Sequence, residues 1–208
     1  MIIKKIASIC KAHKALHIFD NGNVQWAGDS IAAYPLHELP YVTAEELCAF
    51  FDFPEKVKEK MTIRQVPMPV GLNADDCCEN EIPIRELNMG IYWGGMDLTV
   101  LKTPTGVCFI ESAYLGPVRD LLDTLELFER RNAAGRPYIV LKSGMLIYGI
   151  IMPMQILSND FVADIQGLAQ LCTIALENEE NERAAREDKF LQTKMDEEID
   201  AAAEEFND

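Results

Sequence analysis

The order of apolar patterns over residues 107–156 constrains the fold of this chain more than any other feature. Alternating apolar residues at Val107 and Phe109 predict a strand, and apolar residues at helical spacing over 115–122 predict a helix. Three extended runs follow, at 125–130, 138–141 and 145–152. The segment is therefore predicted to form a strand, a helix and three strands, which is an α+β arrangement.

The first 36 residues repeat most of this order. Apolar residues over 2–10 recur at helical spacing, and two extended runs flank Asn21-Gly22-Asn23, a sequence typical of a hairpin turn. A third extended run ends near Pro35. We expect residues 1–36 and 107–156 to form two halves of one domain, with their helices side by side on one sheet face. Alternation within the strands should bury Ile18, Val24, Phe109, Ile139 and Leu141.

Residues 43–90 are predicted to be an insertion between the two halves. A capping box at residues 43–46 begins one helix, and Pro54 begins a second. The stretch 64–90 contains three prolines and few periodic apolar residues, which predicts a long loop. The first domain is thus expected to span residues 1–156.

Residues 157–208 are expected to form a C-terminal acidic helix. The part from 176 to 208 holds 13 acidic residues against four basic ones, a net charge of −9. Apolar residues become sparse there and form one short stripe: Phe190, Leu191, Met195 and Ile199. Such a stripe is typical of a surface that binds a partner protein or a neighbouring copy.

Residues 150–156 read Ile-Ile-Met-Pro-Met-Gln-Ile and resemble the Met-Pro-Met-Arg-Leu ending of the bacterial DNA sliding clamp family, the β subunit of polymerase III. A strand, a helix and three strands also form the repeating half-domain of that family. The resemblance implies a DNA-clamp-like domain of two helix-plus-antiparallel-strand halves. Family members have three such domains per chain and end at this segment, whereas 52 residues follow it here. A ring of family size would need about six copies.

The resemblance also implies two binding surfaces. Helices that line the family's ring direct basic side chains toward duplex phosphates, which gives weak, sequence-independent binding. Five residues would take that role here: Lys4, Lys5, Lys11, Lys14 and Arg119. The Met-Pro-Met segment of the family lines a pocket for polymerase and other replication peptides, a role that would fall to Ile150, Met152, Pro153 and Met154. The alternatives are a solvated helix face and a core strand that ends at a proline.

Residues 124–128 permit a different relation to clamps. They read Thr-Leu-Glu-Leu-Phe and resemble the Gln-Leu-x-Leu-Phe peptide by which proteins bind a bacterial clamp. Thr stands in place of Gln, and the segment passes from a predicted helix to a predicted strand, which favours a structural role. If it were exposed, the chain would be a client of a clamp.

Charge and cysteine content restrict the partners and the compartment. The net charge of −15 opposes indiscriminate binding to nucleic acid, although residues 1–19 contain four lysines and no acid. The six cysteines include no C-x-x-C pair, which favours reduced thiols and a cytoplasmic location. No apolar run reaches the ~20 residues of a membrane-spanning helix, so no membrane partner is expected.

Residues that could support catalysis show no recognisable spacing. The sequence has no phosphate-binding loop, dinucleotide fingerprint or nucleophile elbow. His13, His17 and His37 suggest no cluster, and Cys77-Cys78 lies in a predicted loop, so no metal or cofactor is expected. Together with the clamp resemblance, this favours a non-enzymatic, DNA-clamp-like or replication-associated protein that forms homo-oligomers. The alternatives are an acidic interaction module, recruiting or inhibitory, that does not contact DNA, and an enzyme with another kind of site.

Overall fold

The computed structural model describes residues 2–37 and 39–205, with side chains through residue 194. The chain divides into two compact units, Met1–Gln155 and Ile156–Asp208. The first unit is a mixed α+β structure with a ten-stranded sheet, and the second contains a single long helix among its described residues.

The elements of the first unit follow the chain in this order: α1 (Ile3–His13), β1 (Ala15–Asp20), β2 (Gln25–Gly28), β3 (Ala32–Pro35), α2 (Ala44–Phe50), α3 (Glu55–Lys58), β4 (Thr62–Pro67), β5 (Ile82–Trp93), β6 (Met96–Thr103), β7 (Gly106–Glu111), a 3-10 helix (Ser112–Thr124), β8 (Leu125–Arg131), β9 (Pro137–Ser143) and β10 (Leu146–Ile151). The strands are hydrogen-bonded in the order β4-β1-β2-β3-β10-β9-β8-β5-β6-β7.

Helix α1 forms because one of its faces is apolar. Ile6, Ile9 and Cys10 are buried, whereas the lysines of the helix are exposed. The helix ends at Lys14, whose left-handed backbone (φ 54°) turns the chain into β1. The predicted hairpin of β1 and β2 is present, and Asn21 stabilises its turn by accepting hydrogen bonds from two following amides.

Backbone pairing and a helix contact join the segments 1–36 and 107–156. Strand β3 pairs antiparallel with β10, with Ala33 opposite Ile150. Helix α1 packs beside the 3-10 helix, and the Ile2 amide donates a hydrogen bond to the Pro117 carbonyl at 2.7 Å. The second helix is of the 3-10 type, and Pro117 within it has no amide hydrogen to donate to an α-helical ladder.

The long loop predicted over 64–90 is wrong at both ends. Strand β4 runs from Thr62 to Pro67 and pairs parallel with β1, the one parallel pair among the described strands. Strand β5 begins at Ile82 and pairs with β6 and β8. Both strands are mostly exposed, so they lack the apolar alternation by which strands are recognised. Only the part between them remains a loop.

The core has two layers, because successive side chains in a strand point to opposite faces of the sheet. Helix α1, the 3-10 helix and α2 cover one face, where Ile18, Ile139 and Leu141 are fully buried as predicted. Trp26 and Tyr138 lie on the other face, against the loop over 68–74. Phe109 is also buried as predicted, whereas Val24 is only half-buried.

The second unit is built on α4 (Asn159–Glu205). Ser158 accepts a hydrogen bond from the Phe161 amide and so caps the helix at its start. Phe190 and Leu191 of the predicted stripe are exposed, while the side chains of Met195 and Ile199 lie outside the described residues. None of the described helices is long and apolar enough to cross a membrane.

Candidate functional site

The exposed face of α1 carries the four lysines expected to bind phosphate. Lys4, Lys5 and Lys11 project from the helix on the side away from its buried apolar residues, and Lys14 lies at its C-terminal cap. The sequence contributes no acidic residue to this helix. Exposed, flexible cations are suited to sequence-independent contacts with phosphate oxygens.

Lys5 and Arg119 meet in a cleft between α1 and the 3-10 helix, which we call the basic cleft. Its volume is about 560 Å³. The approach of the two helices is close, because a Cβ atom placed on Gly116 would lie 3.8 Å from the Lys5 side chain. Glu86 and Glu111 also line the cleft and reduce its positive charge. The structure therefore brings two of the five predicted cations together, while Lys4 and Lys11 line a different cleft.

A buried acid holds His13, which lines the basic cleft, in place. Asp29 is 1% exposed, and its Oδ2 lies 2.5 Å from His13 Nδ1 and accepts a hydrogen bond from the Tyr114 hydroxyl at 2.9 Å. Its Oδ1 accepts from the amides of Ile31 and Ala32, which fixes the turn between β2 and β3. One carboxylate thus ties α1, a strand turn and the 3-10 helix together.

The second ring nitrogen of His13, Nε2, faces Glu111, which also lines the basic cleft. Its Nε2 lies 3.4 Å from Glu111 Oε2, and its side chain is 30% exposed at the edge of the basic cleft. Burial and the nearby Asp29 charge hold the pKa of Tyr114 far above its usual value, so the phenol remains a hydrogen-bond donor. No sequence pattern indicated this network, since its members lie far apart in the chain and match no motif.

The Met-Pro-Met segment lies where β10 ends. Ile150 is buried, Met152 and Pro153 are half-buried, and the Met154 amide donates to the Phe109 carbonyl at 2.7 Å. This bridge attaches the end of the segment to β7, at the far edge of the sheet order. This hydrogen bond fixes the end of the segment. Of the four residues predicted to bind a partner peptide, Ile150 and Met152 line a cavity, and Pro153 and Met154 follow them in the chain.

Ile150 and Met152 line a cavity of about 240 Å³, which we call the loop-walled cavity. Its opposite wall is the loop after β4, from which Met68, Val70 and Leu72 contribute apolar side chains. Val70 is fully exposed at the rim. Adaptable methionines on two walls suit a surface that accepts apolar side chains of varied shape.

Buried charge fixes the loop that forms this wall. Arg130 is 1% exposed and donates two hydrogen bonds to Glu81, at 2.5 and 3.0 Å, and two more to the backbone carbonyls of Asn73 and Asp75. Lys142 donates to the other Glu81 oxygen at 2.7 Å. Burial acts to raise the pKa of Glu81, but the hydrogen bonds from Lys142 and Arg130 outweigh it, and the pKa lies below its usual value.

Residues 124–128 do not form a free peptide. Leu125 begins β8, which pairs with β9 on one side and with β5 on the other, and Leu127 packs against the main core. The backbone groups of β8 form hydrogen bonds to strands on both sides, so this segment has a structural role in the folded chain. The client relation that it suggested would require β8 to leave the sheet.

The cysteines and histidines provide no metal site among the described residues. Burial raises the pKa of Cys10 to about 12 and that of Cys108 to about 11, so both remain thiols near neutral pH. Cys77 is exposed and Cys78 is half-buried in the loop between β4 and β5. His17 and His37 make ring contacts with Phe19 and Tyr148, respectively.

Comparison with known proteins gives no match, whether with family models, with curated proteins or with solved structures. The two features that define the candidate site are the basic cleft and the loop-walled cavity, both within the first unit.

Proposed function

We propose that this chain is a non-enzymatic, DNA-clamp-like protein whose copies assemble around duplex DNA and recruit replication partners. The observation that carries the proposal is the relation between residues 1–36 and 107–156. Each segment supplies a helix followed by three antiparallel strands, β3 pairs with β10, and the two helices lie side by side. This element order and pairing support the two-half arrangement that the Met-Pro-Met resemblance implies.

Duplex contact in such an assembly would come from the face that carries α1 and the 3-10 helix. Lys5 and Arg119 share the basic cleft, and three further lysines extend the positive surface along α1. Contacts of this kind bind phosphates without reading bases, so the complex would be weak and mobile along DNA. A net charge of −15 concentrates binding on this one face, because the remaining surface repels phosphate.

Salt dependence of duplex binding tests the electrostatic part of the proposal. Four phosphate contacts predict a log–log slope of roughly −3 to −4 for the wild type. Changing Lys4, Lys5, Lys11 and Lys14 to Glu should abolish binding. The matched control changes four exposed lysines elsewhere to Glu: Lys56, Lys60, Lys102 and Lys189. The control has the same net charge, so a loss confined to the α1 variant locates the contact, whereas equal losses would reject it.

Encirclement needs a separate experiment, because simple surface binding gives the same salt slope. Protein is loaded onto linear duplex biotinylated at both ends, and streptavidin is then added to block the ends. A ring should dissociate much more slowly from blocked than from open-ended DNA. Identical dissociation rates would show binding without encirclement.

Partner recruitment would use the loop-walled cavity. A labelled Gln-Leu-Ser-Leu-Phe peptide is the probe, since its apolar side chains match a methionine-lined cavity. Met152→Ala should weaken binding roughly 5- to 30-fold, the effect of losing one central anchor. Met145→Ala, at an exposed turn, serves as the control and should bind as wild type does.

An acidic interaction module is the second candidate function. It is favoured by the acids that line the basic cleft and by the many exposed acids of α4. If the chain is such a module, we expect no duplex binding even at low salt. We expect it instead to bind the Gln-Leu-Ser-Leu-Phe peptide or a basic partner protein. The salt series therefore separates the two functions.

A further inference from the structure

A second cleft lies between α1 and the end of α2, and we call it the phenylalanine cleft. Its volume is about 660 Å³. Lys4 and Lys11 line it from α1, and Phe50 and Phe51 line it from the end of α2. The cleft thus combines positive charge with aromatic rings, which the basic cleft does not.

The way α2 ends explains why one phenylalanine is exposed. The Phe53 amide donates to the Cys48 carbonyl and the Asp52 amide donates to the Ala49 carbonyl, which is the hydrogen-bond pattern of a Schellman motif. Asp52 has a left-handed backbone (φ 52°), a position that usually holds glycine. The turn inserts Phe53 into the core, at 7% exposure, and leaves Phe50 56% exposed at the cleft.

The rings of Phe50, Phe51 and Phe53 pack in a row. The centroids of Phe50 and Phe51 are 6.1 Å apart, and those of Phe51 and Phe53 are 5.5 Å apart. The exposed ring is therefore linked through a half-buried one to a ring fixed in the core. An anchored aromatic surface loses little freedom when a flat ligand packs on it.

The two lysines of the cleft are spaced for a polyanion. Lys4 and Lys11 are seven residues apart, which is two helical turns or about 10 Å along the same side of α1. Among the described residues that line the cleft, Asp52 is the one acid. An extended chain of phosphates that passes along α1 can therefore bind at two points while a group attached between them reaches Phe50.

We propose that the phenylalanine cleft binds single-stranded nucleic acid, with an unpaired base stacked on Phe50 and nearby phosphates bound by Lys4 and Lys11. A base within a duplex already has a neighbour on each side, so Phe50 selects strands whose bases are free. Every base has an aromatic face, and so binding tolerates any sequence. This site does not depend on ring formation or on the partner peptide.

Fluorescence anisotropy of the full chain with a labelled oligo(dT) of about 12 nucleotides tests the site. Phe50→Ala should weaken binding roughly 5- to 150-fold, the effect of losing one stacked base. Phe50→Leu keeps an apolar side chain without an aromatic ring and should lose nearly as much. Changing both Lys4 and Lys11 to Ala should reduce the magnitude of the log–log salt slope by about 1.4, at ~0.7 per phosphate for single strands.

The matched control is Phe190→Ala, because Phe190 is an exposed phenylalanine (63%) with a lysine nearby, the Lys194 ammonium group lying 5.5 Å from its ring centroid. It should leave oligo(dT) binding unchanged, and Phe50→Ala should leave duplex binding unchanged. The proposal is overturned if wild type does not bind oligo(dT), if Phe50→Ala binds it normally, or if Phe50→Leu retains wild-type affinity. It is also overturned if a peptide of residues 177–194 binds the cleft more tightly, since the natural occupant would then be an acidic protein segment.

Discussion

Replacing Glu81 by Gln should destabilise the first unit more than any single change at an exposed ion pair. The substitution keeps the size of the side chain and removes its charge. Arg130 and Lys142, which are 1% and 8% exposed, then lose the carboxylate that neutralises them. Uncompensated buried charge is one of the few causes of large single-site effects.

The structure limits the magnitude of this effect. Removing one partner of a buried ion pair costs about 3–5 kcal/mol. The lower end applies here, because Glu81 is 15% exposed and Arg130 keeps its hydrogen bonds to two backbone carbonyls. Lys142 also retains the Phe128 ring, 5.1 Å from its ammonium group. We therefore expect a loss of about 3 kcal/mol in the free energy of unfolding at pH 7.

Urea unfolding of the full chain, followed by tryptophan fluorescence, measures this loss. Glu55→Gln is the control, since Glu55 pairs with Lys58 at 80% exposure and should change stability by less than about 0.5 kcal/mol. Because the pKa of Glu81 is lowered in the folded state, its carboxylate contributes to stability at pH values above the usual carboxyl pKa. That contribution is lost as the pH falls through the pKa of Glu81 in the folded state. The difference between wild type and variant should therefore shrink below about pH 4.5. A loss under about 1 kcal/mol at pH 7 would refute the reasoning.

Three further outcomes follow from the fold. Gly28→Ala should prevent stable folding or lower the free energy of unfolding, measured in urea, by more than about 4 kcal/mol, because the added Cβ would lie 1.8 Å from the Ala32 carbonyl oxygen. The control, Ala134→Gly in an exposed turn, should change the free energy of unfolding little. Tyr114→Phe should cost about 1–3 kcal/mol, since Asp29 loses a buried donor; an unchanged denaturation midpoint would show that the hydroxyl contributes nothing. Truncation after residue 178 should leave the thermal midpoint nearly unchanged and lower the solution mass measured by light scattering, whereas a truncated chain that fails to fold would place the acidic segment in the core.

The elements that sequence patterns predicted are those with one strongly apolar face. Helix α1 and the β1–β2 hairpin were predictable because a buried stripe and an Asn-Gly turn are local signals. Strand β4 and the first part of β5 were missed because they pair with the distant strands β1 and β8 and most of their side chains face solvent. An exposed strand of this kind leaves little trace in hydropathy.

The candidate site was predictable only where a single element supplies it. The lysines of α1 could be assigned to one face from their spacing, and Ile150 and Met152 were proposed from the family resemblance of the Met-Pro-Met segment. The second wall of the loop-walled cavity comes from a segment more than 75 residues away, and the Asp29–Tyr114 hydrogen bond joins residues 85 positions apart. Contacts of that range depend on the complete tertiary fold, which no local pattern specifies.

The pairing of β3 with β10 has a consequence for how the chain is made. Strand β3 leaves the ribosome well before its partner, since residue 33 pairs with residue 150. At synthesis rates of roughly 5–20 residues per second, this edge of β3 remains without its partner strand for about 6–23 seconds. During that interval it presents unpaired backbone groups, and the β10 strand of a neighbouring nascent chain fits it as well as its own does. When many ribosomes translate one mRNA, we therefore expect strand-swapped dimers to form. Slow expression at low temperature should yield more monomers.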